Sequence, residues 1–122
     1  MAGEITLSTS LSVRHSPFEY NHTSRQTIDQ NGIGGGNPGT VQLTTTAQAV
    51  SFGDVSTPGI VVFQNLDSTD SVYIGIDVAS TFYPFAQLKP GEDFVIRVYP
   101  TLALYAKAVT NTANLFVFCN EN

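Results

Sequence analysis

Apolar and polar residues alternate with a period of two along much of this chain. At the N-terminus Ile5, Leu7, Leu11 and Val13 hold odd positions, while Thr6, Ser8, Ser10 and Ser12 hold even ones. Successive side chains of a β-strand point to opposite faces, so this segment reads as an extended ribbon with one apolar edge. From Thr40 onward the strand-like runs are TVQLTTTAQAVSF, GIVVFQN, SVYIGID, EDFVIRVY, LALYAKAV and NLFVFCN. Between them stand GDVSTPG, LDSTD, LKPGE, YPT and TNTA, built from residues that favour turns. The nearest helix candidate, ASTFYPFAQL, contains Pro84 among β-branched and aromatic neighbours, which argues against it. About six strands at roughly 8–12-residue spacing predict an all-β fold, an antiparallel sandwich.

The polar stretch HSPFEYNHTSRQTIDQ and a glycine tract separate the ribbon from these strands. The predicted organisation is an extended N-terminal arm with a Gly-rich hinge over residues 1–39 and a sandwich body over 40–122. Within the body, Val62, Ile74, Ile76, Ile96, Val98, Leu104 and Val117 are expected to face inward. In LKPGE, Pro90 presets its backbone and Gly91 accepts the positive φ of a tight turn. Phe94, Ile96 and Val98 then face one way, and Val95, Arg97 and Tyr99 the other. Both faces are partly apolar, which predicts a strand covered by the second sheet and by a neighbouring subunit. The arm is expected to pair with a sheet edge, preferably on a neighbouring subunit, where backbone hydrogen bonds and side-chain pockets combine.

Charge changes the picture of the surface. Charged residues are only 12% of the chain, about half the usual share. Ser, Thr, Asn and Gln must therefore supply the polar exterior, which suits a protein packed against neighbours. The formal net charge is −5, and Arg14, Arg25, Lys89, Arg97 and Lys107 do not cluster. Neither nucleic acid nor an anionic membrane surface is an expected partner. The opening residues MAGEITLSTS contain an early Glu4 and no apolar run, which predicts a soluble protein assembled in a cytoplasm. Cys119 is the sole cysteine and sits in the apolar run LFVFC, so no intrachain disulfide is possible and a buried thiol is expected.

Several constellations hint at chemistry and fail on context. GGGNPG, from Gly34 to Gly39, fits the dinucleotide pattern G-x-G-x-x-G, with Asp54 where a ribose-binding acid would fall. That mechanism needs a buried strand before the loop and a helix after it; the flanks are polar upstream and strand-like downstream. His15, Glu19 and His22 would share a helical face able to bind zinc, but Pro17 and the strand-like neighbourhood oppose a helix. Asp67, Asp70 and Asp77 lack the ligand spacing of a calcium loop and read as turn formers. Glu92 and Asp93 are adjacent, so in a strand they point apart and cannot act as an acid–base pair. Asn21-His22-Thr23 is formally a glycosylation sequon without a secretory context. The aromatic run Phe82, Tyr83 and Phe85 reads as core or subunit interface, with a sugar-stacking platform as the alternative. No enzyme activity, metal or cofactor is expected. The candidate assembly interface comprises Ile5, Leu7, Leu11, Val13, Phe18, Tyr20, Phe82, Tyr83 and Phe85.

The pieces FQNLD (63–67), VYIGID (72–77), FYPFAQLKPGE (82–92) and LYAKA (104–108) stand in a characteristic order. In that order they resemble a module of small structural proteins of tailed bacteriophages, over about two-fifths of the chain. The resemblance implies a jelly-roll-like β-sandwich serving as a capsid decoration (cement) protein, a homotrimer by family habit, on the outer capsid surface of the virion. Its implied partner is the major capsid protein. Similar modules occur in tail, connector and fibre subunits, and a carbohydrate-binding sandwich using Tyr73 and the aromatic run is a further alternative. The family brings no catalytic or metal residues.

Overall fold

A computed structural model describes residues 5–28, 36–53 and 55–121. The chain divides into two compact units, Met1–Ile33 and Gly34–Asn122. The first unit contains β1 (Ile5–His15) and β2 (Phe18–Ile28), an antiparallel hairpin in unbroken register from Ile5↔Ile28 to His15↔Phe18. Its turn is the Ser16–Pro17 pair, joined by a cis peptide. The segment expected to be a polar connector is therefore mostly a strand. Asn21, His22, Thr23, Ser24, Arg25 and Gln26 carry no apolar alternation, so β2 is invisible by itself and exists as the partner of β1. The arm is a two-stranded hairpin rather than a single ribbon.

The second unit is all-β and antiparallel. Its strands are β3 (Gly36–Leu43), β4 (Gln48–Ala49), β5 (Pro58–Asn65), β6 (Val72–Val78) and β7 (Thr81–Leu88). They continue with β8 (Asp93–Arg97), β9 (Tyr105–Ala108) and β10 (Ala113–Glu121). Two four-stranded sheets form, in the orders β3-β10-β5-β8 and β4-β9-β6-β7. Strands successive in the chain thus change sheet from β3 to β4, β4 to β5 and β5 to β6, as in a jelly roll. The first strand of this unit starts at Gly36, ahead of Thr40: Gly36 pairs with Asn120, Pro38 with Phe118 and Gly39 with Val117. A proline is tolerated there because β3 is an edge strand. The run TVQLTTTAQAV divides into β3 and β4 around a local turn, in which the Thr44 hydroxyl accepts a hydrogen bond from the Thr46 amide at 3.2 Å.

The core lies between the two sheets. Val61, Phe63, Val72, Ile74, Leu115 and Cys119 are each fully buried. Ile74, Val98, Leu104 and Val117 are buried as expected, and Ile76 and Ile96 pack against the cluster from its margin. Val62 is a correction. Val61 and Phe63 point inward and pair with Ile96 and Phe94, which puts Val62 on the outer face opposite Val95. The run Gly59-Ile60-Val61-Val62-Phe63 is apolar on both faces, so its pattern does not fix the register. Phe94 and Ile96 do face the core, while Val95, Arg97 and Tyr99 are exposed.

Two turns set the strand geometry. At Lys89-Pro90-Gly91-Glu92 the Glu92 amide donates to the Lys89 carbonyl at 3.0 Å, and Gly91 has a φ of +82°. That is a type II turn with the proline and glycine it requires. Between β6 and β7 a register shift follows Ile74, and Gly75 stands opposite Pro84. A Cβ on Gly75 would come within 2.6 Å of the Pro84 Cα and closer still to the Tyr83 carbonyl oxygen. Only glycine fits so close an approach of backbones.

Candidate functional site

The hairpin register sorts its side chains onto two unlike faces. One face carries Ile5, Leu7, Leu11 and Val13 from β1 with Phe18, Tyr20 and Ile28 from β2. Cross-strand neighbours there are Val13–Tyr20, Leu11–His22 and His15–Phe18, so Leu11, Val13, Phe18 and Tyr20 cluster at the turn end. The opposite face pairs Thr6, Ser8, Ser10, Ser12 and Arg14 with Thr27, Arg25, Thr23, Asn21 and Glu19, and has no apolar member. Six of the nine residues expected at an assembly interface thus lie on one face of one hairpin. None is buried: Leu11 is 50% exposed, Phe18 61% and Tyr20 50%. The same register separates the zinc-like trio, because Glu19 faces away from His15 and His22.

The aromatic run is dispersed. Phe82 lies under the Lys107 ammonium, 5.8 Å from ring centre to Nζ. It borders a shallow cleft of about 260 Å³ with Asp77, Ser80, Thr45 and Thr46. Phe85 leans on Phe94 at 6.4 Å, with its ring tilted by 55°, and Tyr83 is 54% exposed. Phe82 and Tyr83 are adjacent in β7 and so point to opposite faces, which keeps the three rings from forming one stacking platform.

A third patch was not anticipated as such. The outer face of the β3-β10-β5-β8 sheet sets Phe118, Val62 and Val95 side by side, with Phe116 one step along β10. Val95 is 38% exposed and the other three are half-buried. The sequence signal was the two-sided apolar character of GIVVF and LFVF.

One end of the body is held by buried polar groups. Asn65, with no exposed surface, donates through Nδ2 to the carbonyls of Asp70 (2.8 Å) and Leu88 (3.1 Å). Its Oδ1 accepts the Asp67 amide at 2.9 Å. The Asp70 carboxylate accepts amides from Ser71 (2.9 Å), Thr110 (3.1 Å) and Asn111 (2.8 Å), which ties the β5–β6 loop to the β9–β10 loop. The Asp67 carboxylate accepts the amides of Asp70 and Thr69, and these bonds hold it below its ordinary value of 3.8. Asp67 and Asp70 therefore act as turn and loop clamps. Asp77 lies apart, at the Phe82 cleft. Glu92 caps its own turn by accepting the Lys89 amide at 2.8 Å. Cys119 is buried, with its Sγ 3.3 Å from the Asn120 carbonyl.

No family model matches this chain, and no curated protein matches it. A solved structure from a description of Bacillus endospore appendages as a family of disulfide-linked pili overlaps 81% of this chain and 100% of its own. Its TM-score is 0.34 and its sequence identity 12%. A likeness that loose leaves the role of this chain to be read from its own surfaces.

Proposed function

We propose that this chain is a structural subunit of a larger particle, and specifically a virion decoration (cement) protein that binds the exterior of a phage capsid. The observation that carries the structural role is the hairpin: seven apolar or aromatic side chains share one face and none of them is buried. A two-stranded hairpin is at best marginal in water, so a sequence that keeps such a face gains its stability from a surface to lie on. The low charge of the chain fits a role in adhesion, since interface cores are depleted in charge. The phage assignment rests on the ordered pieces FQNLD, VYIGID, FYPFAQLKPGE and LYAKA, and the capsid protein as partner follows from that resemblance. The work such a subunit performs is stapling: each contact is small, and many copies on a regular lattice add their contacts by avidity. Cryo-electron microscopy of intact particles from the source virus tests this. Density for the sandwich on the outer head is the expected result. Density on the tail or fibres would relocate the subunit, and its absence from the particle would end the virion reading.

A further inference from the structure

We propose that the outer face of the β4-β9-β6-β7 sheet carries a binding site for a neutral oligosaccharide, centred on the cleft at Phe82, Asp77 and Lys107. The site belongs to the body and does not depend on the role proposed above. Asp77 stands opposite Phe82, and Tyr73 stands between Lys107 and Gln87. Alternation along β6 puts Tyr73 and Asp77 on one face, away from the buried Val72 and Ile74. Phe82 and Gln87 are five residues apart and would point oppositely in a regular strand. The extra residue Phe85, between the pairs Gly75↔Pro84 and Ile74↔Ala86, brings both to this outer face. The cleft of about 260 Å³ is lined also by Thr45, Thr46 and Ser80. A second, of about 300 Å³, lies at Tyr73, Pro84 and Gln87. One sheet face thus presents two clefts, each with an aromatic ring.

The mixture of groups selects the ligand. The Asp77 carboxylate and the Lys107 ammonium cancel in formal charge, so a singly signed ligand is opposed by one as much as it is drawn by the other. A polyol suits both. Its hydroxyls donate to Asp77 and accept from Lys107, and the Thr45, Thr46 and Ser80 hydroxyls can do either. The C–H face of a sugar ring carries slight positive charge, which matches the negative face of Phe82. That ring face is reached by a polar group already: the Lys107 ammonium lies 5.8 Å from its centre. Phe82 is also not among the side chains that pack on the core. The adjoining turn is an independent sign. Ala79 and Ser80 hold positive φ, at 52° and 68°, in a two-residue hairpin turn that Asn-Gly would fill without strain. Ser80 lines the cleft, and strained residues of this kind gather at ligand contacts.

Chemical-shift titration of the full chain tests this. The probes are neutral tetrasaccharides of glucose, mannose, galactose and N-acetylglucosamine, with tetragalacturonate as the anionic control. At least one neutral probe should saturate with a Kd on the order of 1 mM, as befits a shallow site, and move amides of β6, β7 and β9. Asp77 is exposed and Phe82 half-buried, so Asp77→Asn and Phe82→Ala should keep the fold, and each should weaken binding about tenfold or more. The pair Ala79→Asn with Ser80→Gly should weaken binding while raising the melting temperature, a combination that a purely structural turn would not give. No saturation by any neutral probe at about 10 mM overturns the inference. Binding indifferent to both Asp77→Asn and Phe82→Ala does the same, as does saturation by tetragalacturonate alone. The titration uses the free chain, so its outcome is separate from where the chain sits in a particle.

Discussion

The two units of this chain solve the burial problem in opposite ways. The sandwich body turns Phe63, Ile74 and Leu115 wholly inward and ties its loops with a buried asparagine and a buried aspartate. The hairpin is just as regular in its pairing, yet not one of its described side chains is buried. Alternation alone makes a strand; a second layer makes a fold. The body has its second layer within the chain. The hairpin has an apolar face of the same kind, and that face is its instruction to find a layer elsewhere.

The contrast can be broken first at the core. Phe63→Ala removes a fully buried ring that stacks on Phe94 at 6.2 Å, and should cost the body about 4 kcal/mol in urea unfolding. Leu11→Ala on the hairpin should change the same measurement by less than about 0.5 kcal/mol. Equal losses at the two sites would mean that the hairpin belongs to the core. Next in size is Asn65→Ala, which leaves the Asp70 and Leu88 carbonyls without their partner. About 3 kcal/mol is expected, because buried acceptors lose their bonds without regaining water. A loss under about 1 kcal/mol would show that water replaces the side chain.

A gain should come from the β6–β7 turn. Ala79 and Ser80 both have positive φ, at 52° and 68°, where a Cβ is strained. The pair Ala79→Asn with Ser80→Gly supplies the residues this hairpin turn favours and should stabilise the body by about 1 kcal/mol. No change in the unfolding midpoint would indicate that the turn carries no strain. The smallest effect concerns pH. Amide hydrogen bonds lower the Asp67 pKa in the fold, so its ionised form is the stabilising one. Its contribution is complete above the unfolded value near 3.8 and fades as pH falls through the lower folded value. Asp67→Asn should lower stability slightly at neutral pH, where the ionised form contributes in full, and converge with the wild type once pH falls below the folded value, so that the acid limb is flatter in that window.

Most of the body was legible from alternation, because its strands have one wet face and one dry one. What escaped had a physical reason in each case. Strand β2 is polar on one face and mixed on the other, so only its cross-strand partners reveal it. Val62 was placed inward because GIVVF is apolar at every position after its glycine, and the partners Ile96 and Phe94 break the tie. Asn65 ends the strand-like run GIVVFQN, and nothing in that run announces its three side-chain bonds, which reach residues up to 23 positions away. Of the candidate interface, Leu11, Val13, Phe18 and Tyr20 were legible as residues but not as one surface. Phe82, Tyr83 and Phe85 were legible as a run, and strand alternation divides them between the two faces of β7. The glycines at 34 and 35 lie outside the described residues.

Native-state hydrogen exchange on the free chain tests the central claim most directly, since it reads both units in one sample. Amides of β5, β6 and β10 should open only with global unfolding, at about 5 kcal/mol or more, and those of β1 and β2 at about 1 kcal/mol or less. On assembly into the particle, protection should rise in β1 and β2 and change little in the core. Hairpin amides as protected as those of β10 in the free monomer would contradict the account and make the hairpin part of a self-sufficient fold.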